Sequence, residues 1–296
     1  MIKIYYVPGY SITREYRMIQ QGLINNPRVE LVKNEKDSDF IFFFYYRSKH
    51  KEHYRNDYDP EKTVLIDYHD GPNWYCQVPH FVYFKRSWVN NINKGNYTAR
   101  QAIEHPSNMY PLTMAIMDEF ISDPHFLLGD IKRDIMLSCT LRSKKRHFDR
   151  ENVLNLLRSI DIRGKKQIGE LNRETMYGFD SPEMREYFRL LRRSRIVVTC
   201  NPSKQEGDHR TWEAFANGAL VFVDRTLTPL AHPFVDGKHC IFYDLSDKGL
   251  EKLKEKILWY LELPREVERI AKTGHEFAMR YHRASIRIDE ILKVIT

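Results

Sequence analysis

The sequence predicts an α/β protein built from two parallel sheets wrapped by helices, and three observations carry that prediction. Short apolar segments alternate with amphipathic ones along most of the chain, a βαβα rhythm that occurs in each half. Several apolar segments, residues 196–200 and 219–223 among them, show no polar alternation, as strands do when helices cover both faces. The length of 296 residues suits two domains of about 150 residues each.

In chain order, residues 2–6 form a short apolar strand closed by the turn signal Pro8-Gly9, and residues 13–23 have helical character. Residues 29–32, 40–46, 64–68 and 81–84 are further strands, rich in aromatic and β-branched side chains. A new unit begins near residues 126–132, with 135–139 as its first strand. The helix over 151–160 carries Val153, Leu156, Leu157 and Ile160 at the spacing of one buried face. Ser181-Pro182-Glu183 reads as N-cap, first-turn proline and first-turn acid of a helix that buries Met184, Tyr187, Phe188 and Leu191. A short helix over 211–217 stops at Gly218, a natural left-handed C-cap. After the strand at 240–243, residues 249–261 present Leu250, Leu253, Ile257, Leu258 and Leu261 on one stripe. The last helical stretch, about 265–295, is longer than one small sheet needs and is expected to cross back to the first domain.

Composition closes several options. With 42% hydrophobic and 29% charged residues, the chain is neither disordered nor a disulfide-stapled miniprotein. The four cysteines, Cys76, Cys139, Cys200 and Cys240, form no CxxC pair, so neither a zinc ribbon nor a redox dithiol is signalled, and a reducing compartment fits. No run approaches the ~20 apolar residues of a membrane span. The first residues read as a strand rather than a signal peptide, so the expected location is cytoplasmic. The net charge is +7. Such a surplus points to an anionic partner: nucleic acid, a membrane surface or a phosphorylated small molecule.

The most informative stretch runs from Cys200 to Asp224. A buried strand enters a polar, glycine-containing loop, then a short helix, then another buried strand. Ligands of open α/β sheets bind beyond the carboxyl ends of the strands, where this loop lies. The helix start at Arg210, Thr211 and Glu213 offers free N–H groups and a positive dipole end suited to phosphate. Arg210 adds a cationic fork, and Glu213 can accept hydrogen bonds from a pair of ribose hydroxyls. The competing reading is a surface ion pair between Arg210 and Glu213, worth under ~1 kcal/mol.

Residues 183–284 resemble the carboxyl domain of GT-B glycosyltransferases, in particular the exostosin-like and spore-maturation-protein-like branch. The resemblance rests on Glu186-Tyr187-Phe188 with Leu190-Leu191, on Ser194-Arg195-Ile196-Val197-Val198, and on Arg210-Thr211-Trp212-Glu213-Ala214-Phe215-Ala216-Asn217-Gly218. It extends through Pro233-Phe234, Asp236-Gly237-Lys238-His239 and Tyr281-His282. The resemblance implies two Rossmann-like domains facing a cleft: residues 1–129 on the acceptor side and 130–274 binding the nucleotide-sugar. It also implies a terminal helix, 275–296, that packs back on the first domain. By the same resemblance Glu213 binds the ribose hydroxyls and Arg210 faces the diphosphate. Arg142, Ser143 and Lys144, in the loop after the first strand of the second domain, then reach phosphate. That loop lacks the glycine often seen in the family.

In the first half, Asp67, His69 and Asp70 cluster at the end of a buried strand. An inverting sugar transfer needs a base to take the acceptor hydroxyl's proton, and a desolvated carboxylate serves. Asp70 is the first candidate and His69 the second; Asp67, two residues earlier, is expected to be structural. Asp70-Gly71-Pro72 also reads as a plain turn. Lys85-Arg86-Ser87 follows a strand and resembles an element of the same family, so Arg86 or Lys85 either contacts donor phosphate or acceptor or lies in a solvated loop. Tyr10 borders the same strand ends. Arg192, Arg193 and Arg195 read as a solvated helix end. Asp37-Ser38-Asp39 and Asp57-Tyr58-Asp59 precede their strands, on the wrong side of a sheet for a catalytic metal.

The expectation is therefore a metal-independent, inverting glycosyltransferase with no resident cofactor. It moves sugar from a nucleoside diphosphate donor, a UDP-sugar by resemblance, to a glycan or glycoprotein hydroxyl. Nucleic acid is not expected as a partner. The rivals are a nucleotide-sugar epimerase of the same fold and a basic nucleic-acid-binding protein.

Overall fold

The computed structural model describes residues 1–8, 13–45, 58–69, 78–89, 106–122, 132–141, 148–169, 181–202 and 207–296. The chain divides into two compact units. The first comprises Met1–Asp118, Leu227–Ala231 and Arg283–Thr296, and the second Glu119–Thr226 and His232–His282.

The first unit is a six-stranded parallel sheet. Its strands are β1 (Ile2–Tyr6), β2 (Val29–Leu31), β3 (Phe40–Tyr45), β4 (Thr63–Asp67), β5 (Val82–Lys85) and β6 (Met109–Pro111), in the order β2-β1-β3-β4-β5-β6. β4 lies near the centre, in register Phe42↔Val64 and Ile66↔Phe84 with its neighbours, and every one of its residues is buried. This is the pattern that unalternating Val, Leu and Ile predict. α1 (Arg14–Ile24) begins at Thr13, whose hydroxyl accepts from the Tyr16 N–H, and buries Tyr16, Met18, Ile19 and Leu23.

The second unit is a five-stranded parallel sheet of β7 (Ile135–Thr140), β8 (Lys165–Gly169), β9 (Ser194–Val198), β10 (Leu220–Asp224) and β11 (Ile241–Tyr243), ordered β11-β10-β9-β7-β8. Its helices are α2 (Glu119–Ser122), α3 (Phe148–Ser159), α4 (Pro182–Arg193), α5 (His209–Ala216), α6 (Asp247–Leu261) and α7 (Pro264–Tyr281). Leu137, Leu157, Ile196, Val198, Leu220, Phe222, Leu253 and Ile270 form one continuous core. α4 has the expected Ser181 cap and Pro182 start. Gly218 takes the left-handed conformation, φ +66°, that its place after α5 requires. Cys139, Cys200 and Cys240 are buried free thiols.

The terminal helical stretch is two helices. α7 ends at Tyr281, and α8 (Ala284–Ile295) belongs to the first unit. Ile116 and Arg283 form a single parallel β-bridge between them, and the Ala284 N–H bonds to the Ile116 carbonyl at 2.8 Å. α8 lies against α1 at Gly22, where a Cβ would sit 2.6 Å from the Ala284 oxygen, so only glycine permits that approach. No described helix is long and apolar enough to cross a membrane.

Candidate functional site

In the second unit, α5 starts just beyond the carboxyl ends of β9 and β10, and all its residues from Arg210 to Ala216 are buried. Asp208 caps it, accepting from the Arg210 N–H. The same carboxylate lies between two guanidinium groups. Arg210 Nη1 donates to both of its oxygens at 3.0 and 2.7 Å, and Arg150, reaching in from α3, donates to Oδ2. Arg150 also donates from Nε to the Cys200 carbonyl at 3.0 Å, which ties the end of β9 to the cluster. Burial alone pushes the Asp208 carboxyl up, but Arg210 and Arg150 hold it well below the usual carboxylate range. One carboxylate between two buried guanidiniums leaves a local surplus of one positive charge.

Glu213, one turn along α5, is buried and accepts from the Tyr187 hydroxyl at 2.7 Å. The surface ion pair between Arg210 and Glu213 does not form: Arg210 is paired with Asp208. Thr211 shares a 2.9 Å hydroxyl contact with Thr199 at the end of β9, and the Thr199 carbonyl accepts from Tyr243 at 2.7 Å. These bonds fix the helix start against the strands.

A second polar pair lies at the same strand ends. Asp224 Oδ1 accepts from the Asn201 backbone and side-chain N–H groups at 2.8 and 3.1 Å, while Oδ2 is buried without a partner among the described residues. Burial raises its carboxyl to about 6, against the bonds from Asn201 that lower it. Between about pH 4 and 6 the native state then holds more protons than the unfolded chain. Asp224 therefore subtracts stability as pH rises through that window, up to roughly 3 kcal/mol. Asp224→Asn is expected to be more stable than the parent at pH 7.5 and to lack this decline. Urea titrations at pH 4.5, 6 and 7.5 check it; an unchanged pH profile contradicts it.

In the first unit, Asp67 ends β4 fully buried, as expected of a structural residue. Its partners are the Tyr83 hydroxyl, the Lys85 ammonium at 3.4 Å and the His69 N–H at 2.7 Å. Lys85 and Ser87 also donate to the His69 carbonyl at 2.7 and 3.3 Å. The backbone of half-buried His69 is thereby held from both sides. Lys85 is fully buried and Arg86 is 5% exposed, its guanidinium donating to the Tyr68 carbonyl at 3.3 Å. Neither belongs to a solvated loop; the buried Asp67 carboxylate attracts the lysine inward. Tyr10, Asp70, Arg142, Ser143 and Lys144 lie outside the described residues.

Sequence reasoning gave no role to Asp208, Arg150 and Asn201-Asp224. The cap was readable, since an Asp directly before a helix is a start signal. Arg150 was not, because its partner is 58 positions away.

Residues 155–293, just under half of the chain, match the family described as Glycosyl transferase-like. No curated protein matches. Among solved structures, an alpha-glucosyltransferase in complex with UDP-glucose and DNA containing an abasic site is similar at TM-score 0.58 and 10% identity, over 99% of this chain and 98% of that one. HepE of Anabaena, in complex with UDP and glucose, is similar at TM-score 0.54 and 9% identity, over 100% and 99%. TarM is similar at TM-score 0.51 and 11% identity over 83% of this chain, which spans 57% of the length of TarM. At such identities the likeness establishes the GT-B fold. One expectation is overturned: nucleic acid cannot be set aside as a partner class, because proteins of this fold, solved as alpha-glucosyltransferases, hold DNA together with UDP-glucose or UDP.

Proposed function

We propose that this chain, a glycosyltransferase of the GT-B fold, transfers a sugar from a UDP-sugar to an acceptor hydroxyl, with inversion and without a metal. The family match supports the reaction class, and UDP in the similar structures supports the nucleotide. The observation that carries the reading is the juxtaposition on α5 of Glu213 with the positive Arg150–Asp208–Arg210 cluster, beyond the carboxyl ends of a parallel sheet. A carboxylate beside a cationic group suits ribose hydroxyls next to a diphosphate. Guanidinium groups then stabilise the leaving diphosphate as charge develops on it. Arg142, Ser143, Lys144 and Thr211 are assigned to the same donor.

Asp70, with His69 as second candidate, is proposed as the base that removes the acceptor's proton. Arg86 and Tyr10 are assigned to its surroundings. The exostosin-like branch is the proposed placement within the class, on the residues that carry that resemblance.

Glu213→Ala is expected to weaken UDP-glucose binding at least about a hundredfold, since two hydrogen bonds to a charged acceptor are lost at roughly 1.5–3 kcal/mol each. Calorimetry on a variant whose circular dichroism matches the parent checks it, and unchanged affinity removes Glu213 from the site. Transfer releases UDP, whereas an epimerase returns an isomerised UDP-sugar, so product analysis separates the two.

A further inference from the structure

A cavity of about 650 Å³ lies wholly within the second unit, at the end of the sheet opposite the donor cluster. Its wall is made where strands begin: Arg133 and Met136 at the start of β7, Arg195 at the start of β9 and Gly218 just before β10. α5 runs from the donor cluster to this wall, so about 12 Å of helix separates the two at 1.5 Å per residue. The register shift in β7 between Ile135 and Leu137 falls at Met136, in the cavity wall.

The charges of the wall are unbalanced. Arg133 is half-buried and donates to two backbone carbonyls, Ser194 at 2.6 Å and Asn217 at 2.7 Å, and to no carboxylate among the described residues. Burial pushes its guanidinium pKa down, the sign of a desolvated charge without a counter-charge. Arg195 is half-buried too. Its Nε donates to the Arg133 carbonyl at 3.1 Å, and its two terminal nitrogens have no protein partner among the described residues. Lys132 and Lys272 add two ammonium groups at the rim. Lys272 is paired with Glu276 at 3.9 Å, and of the two carboxylates in the wall Asp134 is already held by two nitrogens of the Arg193 fork at 2.8 and 2.5 Å, leaving only Glu268 against Lys132, Arg133 and Arg195. Arg193 and Arg195 are thus not the solvated helix end that the sequence suggested.

His275 completes the wall. Its Nδ1 lies 2.8 Å from the Phe215 carbonyl, which can only accept, and burial lowers its pKa. The neutral ring therefore carries its proton on Nδ1 and keeps a lone pair on Nε2, an acceptor beside the cations. The volume lies within the range of small-molecule sites.

We infer that this cavity is a second ligand site, binding a phosphorylated small molecule of sugar-phosphate or nucleotide size, separate from the donor site. The Arg195 fork and Lys132 receive the phosphate, Arg133 supplies the uncompensated charge behind them, and His275 Nε2 accepts from a hydroxyl of the ligand. This inference does not depend on the transferase reading.

Inorganic pyrophosphate is the probe, titrated calorimetrically into the full chain, into Lys132→Gln/Arg195→Gln and into Arg210→Met. Pyrophosphate is expected to bind Arg210→Met through the cavity alone and the parent through the cavity and the donor cluster together, and the Lys132→Gln/Arg195→Gln variant is expected to weaken at least about tenfold the component that Arg210→Met keeps. Neither Lys132 nor Arg195 is buried in the core, so the double variant is expected to fold, and its circular dichroism confirms this before titration. No binding to the parent overturns the inference. So does binding that Arg210→Met abolishes and the cavity variant keeps, which places pyrophosphate in the donor cluster alone.

Discussion

Lys85→Met is expected to destabilise the first unit by about 3–5 kcal/mol, because it leaves the Asp67 carboxylate buried without its cation. Both side chains are fully buried, 3.4 Å apart, at the ends of adjacent central strands. Methionine matches the lysine stem in volume, so packing is nearly conserved and the loss is electrostatic. Tyr83 and the His69 N–H still bond to Asp67, but neither brings a positive charge. The variant also removes the Lys85 bond to the His69 carbonyl, so the backbone just before the proposed base loses that tie. Amide exchange in β4 and β5, compared with β9 and β10 of the other unit, reads the effect locally. Asp67→Leu combined with Lys85→Met is expected to recover part of the loss, since a neutral pair carries no desolvation penalty. A single variant within about 1 kcal/mol of the parent would show that this pair adds nothing beyond its packing.

That buried pair shows where the sequence stopped being legible. β4 was readable because four successive residues, Val64 to Asp67 with only the last polar, have no amphipathic alternative. The position of Asp67 inside the strand followed from the same pattern. The inward turn of Lys85 did not, because its cause is a neighbouring strand 18 positions earlier, not its own surroundings in the chain. β8, Lys-Lys-Gln-Ile-Gly, was missed for a related reason. It is the sheet edge, where polar and lysine-rich residues guard the exposed ladder and erase the apolar signal. β6 is three residues ending in Pro111, tolerable only at an edge.

The cluster proposed to bind the donor divides in the same way. Loop, helix and flanking strands around Arg210 and Glu213 are local and were legible. The partners are not: Tyr187 reaches Glu213 across 26 positions and Arg150 reaches Asp208 across 58. The sequence therefore pointed to an arginine free for phosphate, whereas Arg210 already holds a carboxylate of its own. Charge at this site is set by three groups rather than one, which makes Asp208 its control.

Asp208→Asn is accordingly the most discriminating substitution in the second unit. Asparagine caps a helix as well as aspartate does, so α5 keeps its start while the charge is lost. Arg150 and Arg210 are then left as like charges in a buried place, their side chains only 5% and 9% exposed, at an expected cost of about 3–5 kcal/mol. The pH dependence carries the same signature. Because the native carboxyl lies below its unfolded value, its contribution is complete above about pH 4 and lost as pH falls through the native value, and the variant lacks that acid-side loss. UDP separates electrostatics from architecture. If the two guanidiniums receive the diphosphate, UDP supplies the missing negative charge, and its stabilisation of Asp208→Asn exceeds that of the parent at the same concentration. Thermal denaturation with and without UDP measures both terms. Unchanged stability would remove the electrostatic account of the cluster. A UDP shift smaller than in the parent would mean that Asp208 holds the arginines in place for donor, so that order and not available charge limits binding.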